Sequence, residues 1–203
     1  MTSTLEQVPG PSGPPAVLQG VLAALRGTVL EIGPGAGVNL PWFGSDVRWI
    51  GVEPDPVARD LAVRRASRLG RTIDLVAGPV ENLDLPRGSV DAVVGTYVLC
   101  SVEEPRRAVA QVRRLLRPGG VYVFAEHVAA PRGTWTRRGQ HLAALTAVRA
   151  GACRPNRDTE VVLRGAGFAE VTVRHDMRPG PFGTRTPLIA GSAVNPFDTH
   201  EEN

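Results

Sequence analysis

The sequence predicts an α/β fold: a seven-stranded, mostly parallel sheet with one antiparallel strand and helices on both faces. Three observations predict it. The apolar run Thr28-Val29-Leu30-Glu31-Ile32 passes at once into the glycine-rich turn Gly33-Pro34-Gly35-Ala36-Gly37, and a second run, Trp49-Ile50-Gly51-Val52-Glu53, ends in another acid. Strand-like and helix-like segments then alternate with short links as far as Val128, the rhythm of a parallel sheet. The last two strand candidates are joined without a helix, which implies an antiparallel pair.

The elements follow in order. Residues 1–15 are rich in Pro and Gly without periodicity and read as a flexible arm. Ala16 to Arg26 carries Val17, Leu18, Val21, Leu22 and Leu25 at helical spacing. Strand 28–32, a short helix near 37–43, strand 47–52, a helix from Pro56 to Leu69 and strand 72–77 come next. A turn-rich link leads to strand 90–95. A helix from Glu104 to Leu116 has early acids that suit its dipole. Arg117-Pro118-Gly119-Gly120 breaks it before the strand Val121 to Val128. Helices are expected over Trp135 to Arg149 and Asp158 to Gly165, then strands 168–175 and 185–193 and a frayed polar tail, 195–203. The change of rhythm after Val128 points to 129–160 as a cover, with the N-terminal arm, over a bound substrate.

The glycine pattern bears on the ligand. A dinucleotide fingerprint starting at Gly33 needs a glycine at position 38, which is Val38. The pattern present is E-x-G-x-G-x-G. Its glycines let the backbone approach a ligand closely. Glu31 suits a cationic ligand end such as an α-ammonium and would repel a pyrophosphate. No Gly-Lys-Ser/Thr follows, so a P-loop is excluded. Glu53, followed by Pro54-Asp55-Pro56, is placed to accept hydrogen bonds from two ribose hydroxyls. These features favour S-adenosylmethionine.

Composition narrows the class. The chain has 203 residues, 42% hydrophobic and 21% charged, with a net charge of +3, as for one globular domain. Every basic residue is Arg, and the Arg pairs are scattered among acids, so no nucleic-acid track is expected. No apolar run spans a bilayer, and the first residues lack a signal peptide's basic and apolar regions, so the reading is cytoplasmic. Cys100 and Cys153 lack metal-ligand spacing, and His127, His141, His175 and His200 form no ligand motif, so no metal is expected.

Together, Glu31-Ile32-Gly33-Pro34-Gly35-Ala36-Gly37, Glu53, Asp91-Ala92-Val93-Val94 and Leu115-Leu116-Arg117-Pro118-Gly119-Gly120 resemble the Rossmann-like class I S-adenosylmethionine-dependent methyltransferases, over residues 16–194. Thr96-Tyr97-Val98-Leu99-Cys100-Ser101-Val102 and Ala125-Glu126-His127-Val128-Ala129-Ala130, with Trp135 and the Gly151-Ala152-Cys153 region, are similar to the animal methyltransferase-like alkyl-thiol S-methyltransferases. Animal members carry an N-terminal membrane anchor; none is expected here.

The resemblance implies roles. Glu31, Gly33, Pro34, Gly35 and Gly37 would hold the methionine moiety, and Glu53 the ribose, with Pro54 beside the adenine. Many relatives have an acid and a small residue after the third strand that read the adenine edge. Here those positions are Pro79 and Val80, so adenine recognition falls to backbone groups or to Glu81. Thr96 and Leu99 would line the methyl end. The protein's own task is to bring an acceptor in line behind the activated methyl carbon and exclude water. A thiol acceptor needs only to become a thiolate.

His127, at the carboxyl edge of the fifth strand, can take the acceptor's proton or can be structural. His141 lies in the expected cover, and Trp135 and Phe182 either wall an acceptor pocket or pack the domain. Cys100 reads as a small buried hydrophobe. The expected function is methyl transfer to a small-molecule thiol. An O-, N- or C-methyltransferase and a non-catalytic cofactor-binding module are the alternatives. Activity with thiols, activity only with other acceptors, or cofactor binding without transfer would tell the three apart. The oligomeric state is open.

Overall fold

Alternate residues of the central strands feed two apolar cores, one on each face of the sheet. The computed structural model describes residues 14–146, 153–179 and 185–197. On β1 (Thr28–Ile32), Val29 packs into one core while Leu30 and Ile32 pack into the other. On β4 (Val90–Thr96), Ala92 and Val94 face the first core and Val93 the second. Successive strand side chains point to opposite faces, and a sheet covered on both sides reads as a continuous apolar run.

Helices close both faces. α1 (Ala16–Ala24) contributes Leu18 and Leu22 to the first core, and α2 (Pro56–Arg68) contributes Ala66. α2 starts where it does because Asp55 caps it, accepting the Val57 N–H at 2.8 Å, with Pro56 at the first helical position. α3 (Pro105–Leu115) turns Ala108, Val109, Val112 and Leu115 into the second core, joined by Leu163 of α5 (Thr159–Arg164). Each large side chain fully buried in this way contributes roughly 1.5–3 kcal/mol.

The remaining strands are β2 (Arg48–Glu53), β3 (Asp74–Ala77), β5 (Leu116–His127), β6 (Glu170–Pro179) and β7 (Arg185–Val194); α4 (Trp135–Thr146) follows β5. The sheet order is β3-β2-β1-β4-β5-β7-β6. β7 runs antiparallel to both β5 and β6, and the other neighbours are parallel. This is the expected Rossmann-like architecture of seven strands with one reversed.

Local differences have local causes. The helix expected near 37–43 is a single 3-10 turn, Leu40–Trp42, because the glycines before it favour turns and Pro41 supplies no N–H donor. A second such turn, Val80–Asn82, lies in the link after β3. Arg117-Pro118-Gly119-Gly120 ends α3 as expected, but β5 already begins at Leu116. Asn195, placed by sequence in the polar tail, donates through Nδ2 to the Leu116 carbonyl at 3.0 Å and so stays tied to the sheet. The arm (apart from Pro14 and Pro15), the end of the tail and residues 147–152 lie outside the described residues. Among the described residues no helix is long and apolar enough to cross a membrane.

β1 is flanked by β2 on one side and β4 on the other, and the chain reverses its direction of progress there. Open sheets bind ligands outside the carboxyl ends of strands at such a switch point. Those ends carry Gly33, Glu53 and Tyr97.

Candidate active site

A cleft of about 710 Å³ opens at the switch point, with Gly33, Glu53, Pro54, Val80, Glu81 and Tyr97 among its walls. Gly33, Gly35 and Gly37 all adopt positive φ, at 58°, 54° and 70°. Their surroundings differ. A Cβ on Gly33 would come within 2.8 Å of Val98 Cγ2, and one on Gly37 within 2.7 Å of Leu40 Cδ1 and 3.4 Å of Ala62. A Cβ on Gly35 would meet nothing within 4 Å. Gly33 and Gly37 are therefore glycines for packing, and Gly35 borders open space. Pro34 is buried and accepts the Gly37 N–H through its carbonyl at 2.9 Å, closing the turn.

Glu53 fastens this loop. Its Oε2 accepts the Gly35 N–H at 2.9 Å and its Oε1 accepts the Asp55 N–H at 3.0 Å. Each oxygen keeps acceptor capacity for a ligand hydroxyl. Glu81 Oε2 is buried beside the same cleft without a hydrogen-bond partner among the described residues. A buried orphan acceptor is costly unless a donor arrives. An open glycine loop, a carboxylate for a diol and an unpaired acceptor for an amino group fit the adenosine portion of S-adenosylmethionine.

Glu31 sits below the loop and is fully buried, so it does not line the cleft wall as the sequence pattern implied. Asn39 Nδ2 donates to its Oε1 at 2.7 Å, and Trp49 Nε1 donates to its Oε2 at 2.9 Å. Burial pushes its pKa up to about 7, against the lowering effect of the Trp49 and Asn39 hydrogen bonds. Asn39 also donates to Thr96 Oγ1 at 2.9 Å, linking β1 to the end of β4. Sequence reasoning missed Asn39 and Trp49. Trp49 opens the second apolar run with nothing to mark its indole as a donor, and Asn39 becomes visible only when the turn folds back over Glu31.

The ends of β4 and β5 form the other side of the cleft. Tyr97 takes φ +60°, a left-handed conformation costing a non-glycine residue about 1–3 kcal/mol. Glu126 holds the turn that follows. Its Oε1 accepts the N–H groups of Val98 and Leu99 at 3.0 and 2.9 Å, and its Oε2 accepts that of Cys100 at 3.2 Å. Burial raises the Glu126 pKa, and these three donors pull it back. The Tyr97 ring packs on His127, with centroids 4.7 Å apart.

His127 Nδ1 lies 3.4 Å from Cys153 Sγ and 4.0 Å from Cys100 Sγ. Both cysteines are free, Cys100 buried and Cys153 exposed. The segment bearing Cys153 is pinned across the sheet edge: Arg154 N–H donates to the Cys100 carbonyl at 2.7 Å, and Arg157 Nη1 donates to the Leu99 carbonyl. Residues 26 and 27 positions apart in sequence thus form one cluster, which no linear spacing announced.

Several expected positions lie elsewhere. Leu99 is fully buried in the core, because the turn after Tyr97 directs it inward; Tyr97 and Val98 take the wall it was assigned. Trp135 is 82% exposed with the Arg138 guanidinium over its ring and is not among the residues lining the cofactor cleft. His141 is exposed on α4, where its Nε2 accepts from Arg137 Nε at 3.3 Å and its Nδ1 faces Asn156 Nδ2 at 3.1 Å, so it does not reach the cleft. Phe182 lies outside the described residues. α4 is tied to the end of β5 by Gln140, which accepts the Ala130 N–H and donates to the Val128 carbonyl.

Comparison with known proteins identifies the family and the fold. The family model described as "Methyltransferase domain" matches residues 30–124. The human thiol S-methyltransferase TMT1B is 36% identical over 173 residues, 82% of this chain and 70% of that protein. Human TMT1A is 32% identical over 199 residues, covering 95% of this chain and 75% of that protein. A solved SAM-dependent methyltransferase from Methanosarcina mazei shares the fold, with a TM-score of 0.73 at 17% identity over 92% of this chain and all of that one. With the glycine loop, Glu53 and the reversed seventh strand in place, the chain belongs to the class I S-adenosylmethionine-dependent methyltransferases, in the family of the thiol S-methyltransferases TMT1A and TMT1B.

Proposed function

We propose that this methyltransferase acts on a small-molecule thiol, with His127 assisting formation of the thiolate. The observation that carries the reading is the position of His127. It ends β5, packs against a cleft-lining residue, Tyr97, and stands within reach of two thiols. The similarity to thiol S-methyltransferases over most of the chain supports the same acceptor class.

S-adenosylmethionine, when bound, supplies a methyl group already activated on a sulfonium sulfur. The chain's residues position and enclose. Glu53 takes the ribose hydroxyls, and Pro54 and Val80 flank the adenine. Glu81 accepts from the adenine amino group. Gly33, Pro34, Gly35 and Gly37 shape the loop around the methionine moiety. Glu31 braces the loop from beneath, held by Asn39 and Trp49. Thr96 steadies the same network at the methyl end. The described parts of 16–194 carry the catalytic unit, and the described parts of 129–160, residues 129–146 and 153–160, cover the acceptor and exclude water. Two free thiols so close together suit a reducing, cytoplasmic setting.

A screen with methyl-labelled cofactor tests the reading directly, using alkyl and aryl thiols beside phenols, amines and alcohols. Labelled thioethers are expected. Transfer only to oxygen, nitrogen or carbon acceptors would overturn the thiol assignment.

A further inference from the structure

We infer that Cys100, His127 and Cys153 form a three-ligand site for a zinc ion, which takes the acceptor thiol as its fourth ligand. The inference rests on the thiol reading above and gives His127 its means of action. It departs from the metal-free expectation drawn from sequence spacing.

The geometry carries it. One donor atom from each residue lies within 4.8 Å of the other two. Zinc bound tetrahedrally, with Zn–S about 2.3 Å and Zn–N about 2.0–2.1 Å, sets sulfur–nitrogen edges of about 3.6 Å and a sulfur–sulfur edge of about 3.8 Å. The sulfur–nitrogen distances here are 3.4 and 4.0 Å. Small movements of side chains would seat the ion. Two thiolates and one imidazole form a soft, borderline donor set that selects zinc over calcium or magnesium. Three protein ligands with one side open is the arrangement of a site that binds a reactant, whereas structural zinc sites are closed by four.

The ligands sit on a prepared frame. Cys100 is fixed through its backbone by Glu126 and by the Arg154 N–H on its carbonyl, and Tyr97 packs on the His127 ring. The exposed side is that of Cys153. Ser101 and Arg154, the chain neighbours of the two cysteines, both line the cofactor cleft. An acceptor bound to the ion would therefore stand beside that cleft.

The chemistry balances without a redox partner. As the acceptor's sulfur–metal bond forms, its S–H bond breaks and the proton passes to solvent on the exposed side. A coordinating thiol is deprotonated outright, so the nucleophile exists at neutral pH. The two protein thiols lose their protons in the same way when the ion binds.

Cobalt(II) serves as the spectroscopic probe for the zinc site. The reduced full chain, stripped of metal with a chelator, is titrated with cobalt and followed in the visible and near ultraviolet. Expected are one equivalent bound, tetrahedral ligand-field bands and a thiolate-to-cobalt charge-transfer band. An alkanethiol should shift the ligand-field bands, and zinc should displace the cobalt. Cys153→Ser, at an exposed position that leaves folding intact, should reduce the charge-transfer band and weaken binding by roughly tenfold or more for loss of one of three ligands. His127→Ala should weaken it as well. Absence of the charge-transfer band, or cobalt binding unchanged in both variants, overturns the site. Metal-free protein that methylates an alkanethiol at the full rate overturns the role given to the ion while leaving thiol methylation standing. Cobalt binding with a thiol-induced shift, alongside no thiol methylation, supports the site and overturns the thiol function instead.

Discussion

The Gly35 N–H donates to Glu53 Oε2 at 2.9 Å, so the residue proposed to bind ribose also tethers the loop proposed to bind methionine. On that proposal, a single carboxylate organises two ends of one ligand. Glu53→Ala removes both the tether and the ribose acceptors. Hydrogen bonds to a charged group contribute about 1.5–3 kcal/mol, which corresponds to roughly a ten- to hundredfold loss of cofactor affinity. Titration calorimetry with S-adenosylhomocysteine reads this; equal affinity in mutant and wild type would remove Glu53 from the site.

The glycine loop separates packing from ligand space. Gly33→Ala places a methyl 2.8 Å from Val98 Cγ2, whereas Gly35→Ala places one where no atom lies within 4 Å. Both substitutions pay for positive φ, about 1–2 kcal/mol. Gly33→Ala should therefore show the larger fall in Tm. Gly35→Ala should remain closer to wild type in stability yet lose cofactor binding, because its methyl occupies the cradle. Thermal melts beside calorimetry check the pair, and a Gly35→Ala protein that binds cofactor normally would refute the cradle.

Glu31 makes stability pH-dependent. Its folded pKa is raised from 4.5 to about 7, chiefly by burial. Between those values the unfolded chain has released a proton that the folded chain keeps, so this group's contribution falls as pH rises through the window. The full excursion corresponds to about 3 kcal/mol. Glu31→Gln abolishes the titration but offers one acceptor oxygen to the two donors, Asn39 and Trp49. The mutant should be less stable than wild type near pH 5, and the gap should shrink or reverse near pH 8. Urea titrations at the two pH values measure it; an equal gap at both would show that Glu31 does not titrate in this window.

What could be read from the chain and what could not divides along physical lines. Glu53 was legible because an acid ending an apolar strand, just before a helix-start signal, can sit only at the sheet's carboxyl edge. The glycine loop was legible for the same reason. Burial of Glu31 was not, because the donors that make it tolerable, Asn39 and Trp49, come from a turn and from the next strand. Leu99 was misplaced because a left-handed Tyr97 reverses the direction of the side chains after it, and nothing in a tyrosine announces that φ. Trp135 looked like a pocket wall by residue type alone, yet its helix turns it outward beneath Arg138. Cys153 looked isolated because its partners, Cys100 and His127, lie 53 and 26 positions away and meet it only when the segment after α4 folds back over the sheet edge.

His127 decides how the acceptor is activated. If it assists thiolate formation, His127→Ala should lower kcat/KM most at pH values below the acceptor's pKa, about 8.5 for an ordinary thiol. There almost all free acceptor is protonated, and the enzyme's help is needed most. As pH rises past that value the substrate ionises unaided, and the deficit should narrow. The KM for cofactor should stay near the wild-type value, because the Glu53 end of the cleft is untouched. Rates with an alkanethiol and with a more acidic aryl thiol sharpen the test, since the aryl thiol should lose less at every pH. A deficit independent of pH and of thiol acidity would confine His127 to holding Tyr97 and the acceptor in place. No deficit at all would make it structural and leave the cleft without an assigned means of forming the thiolate.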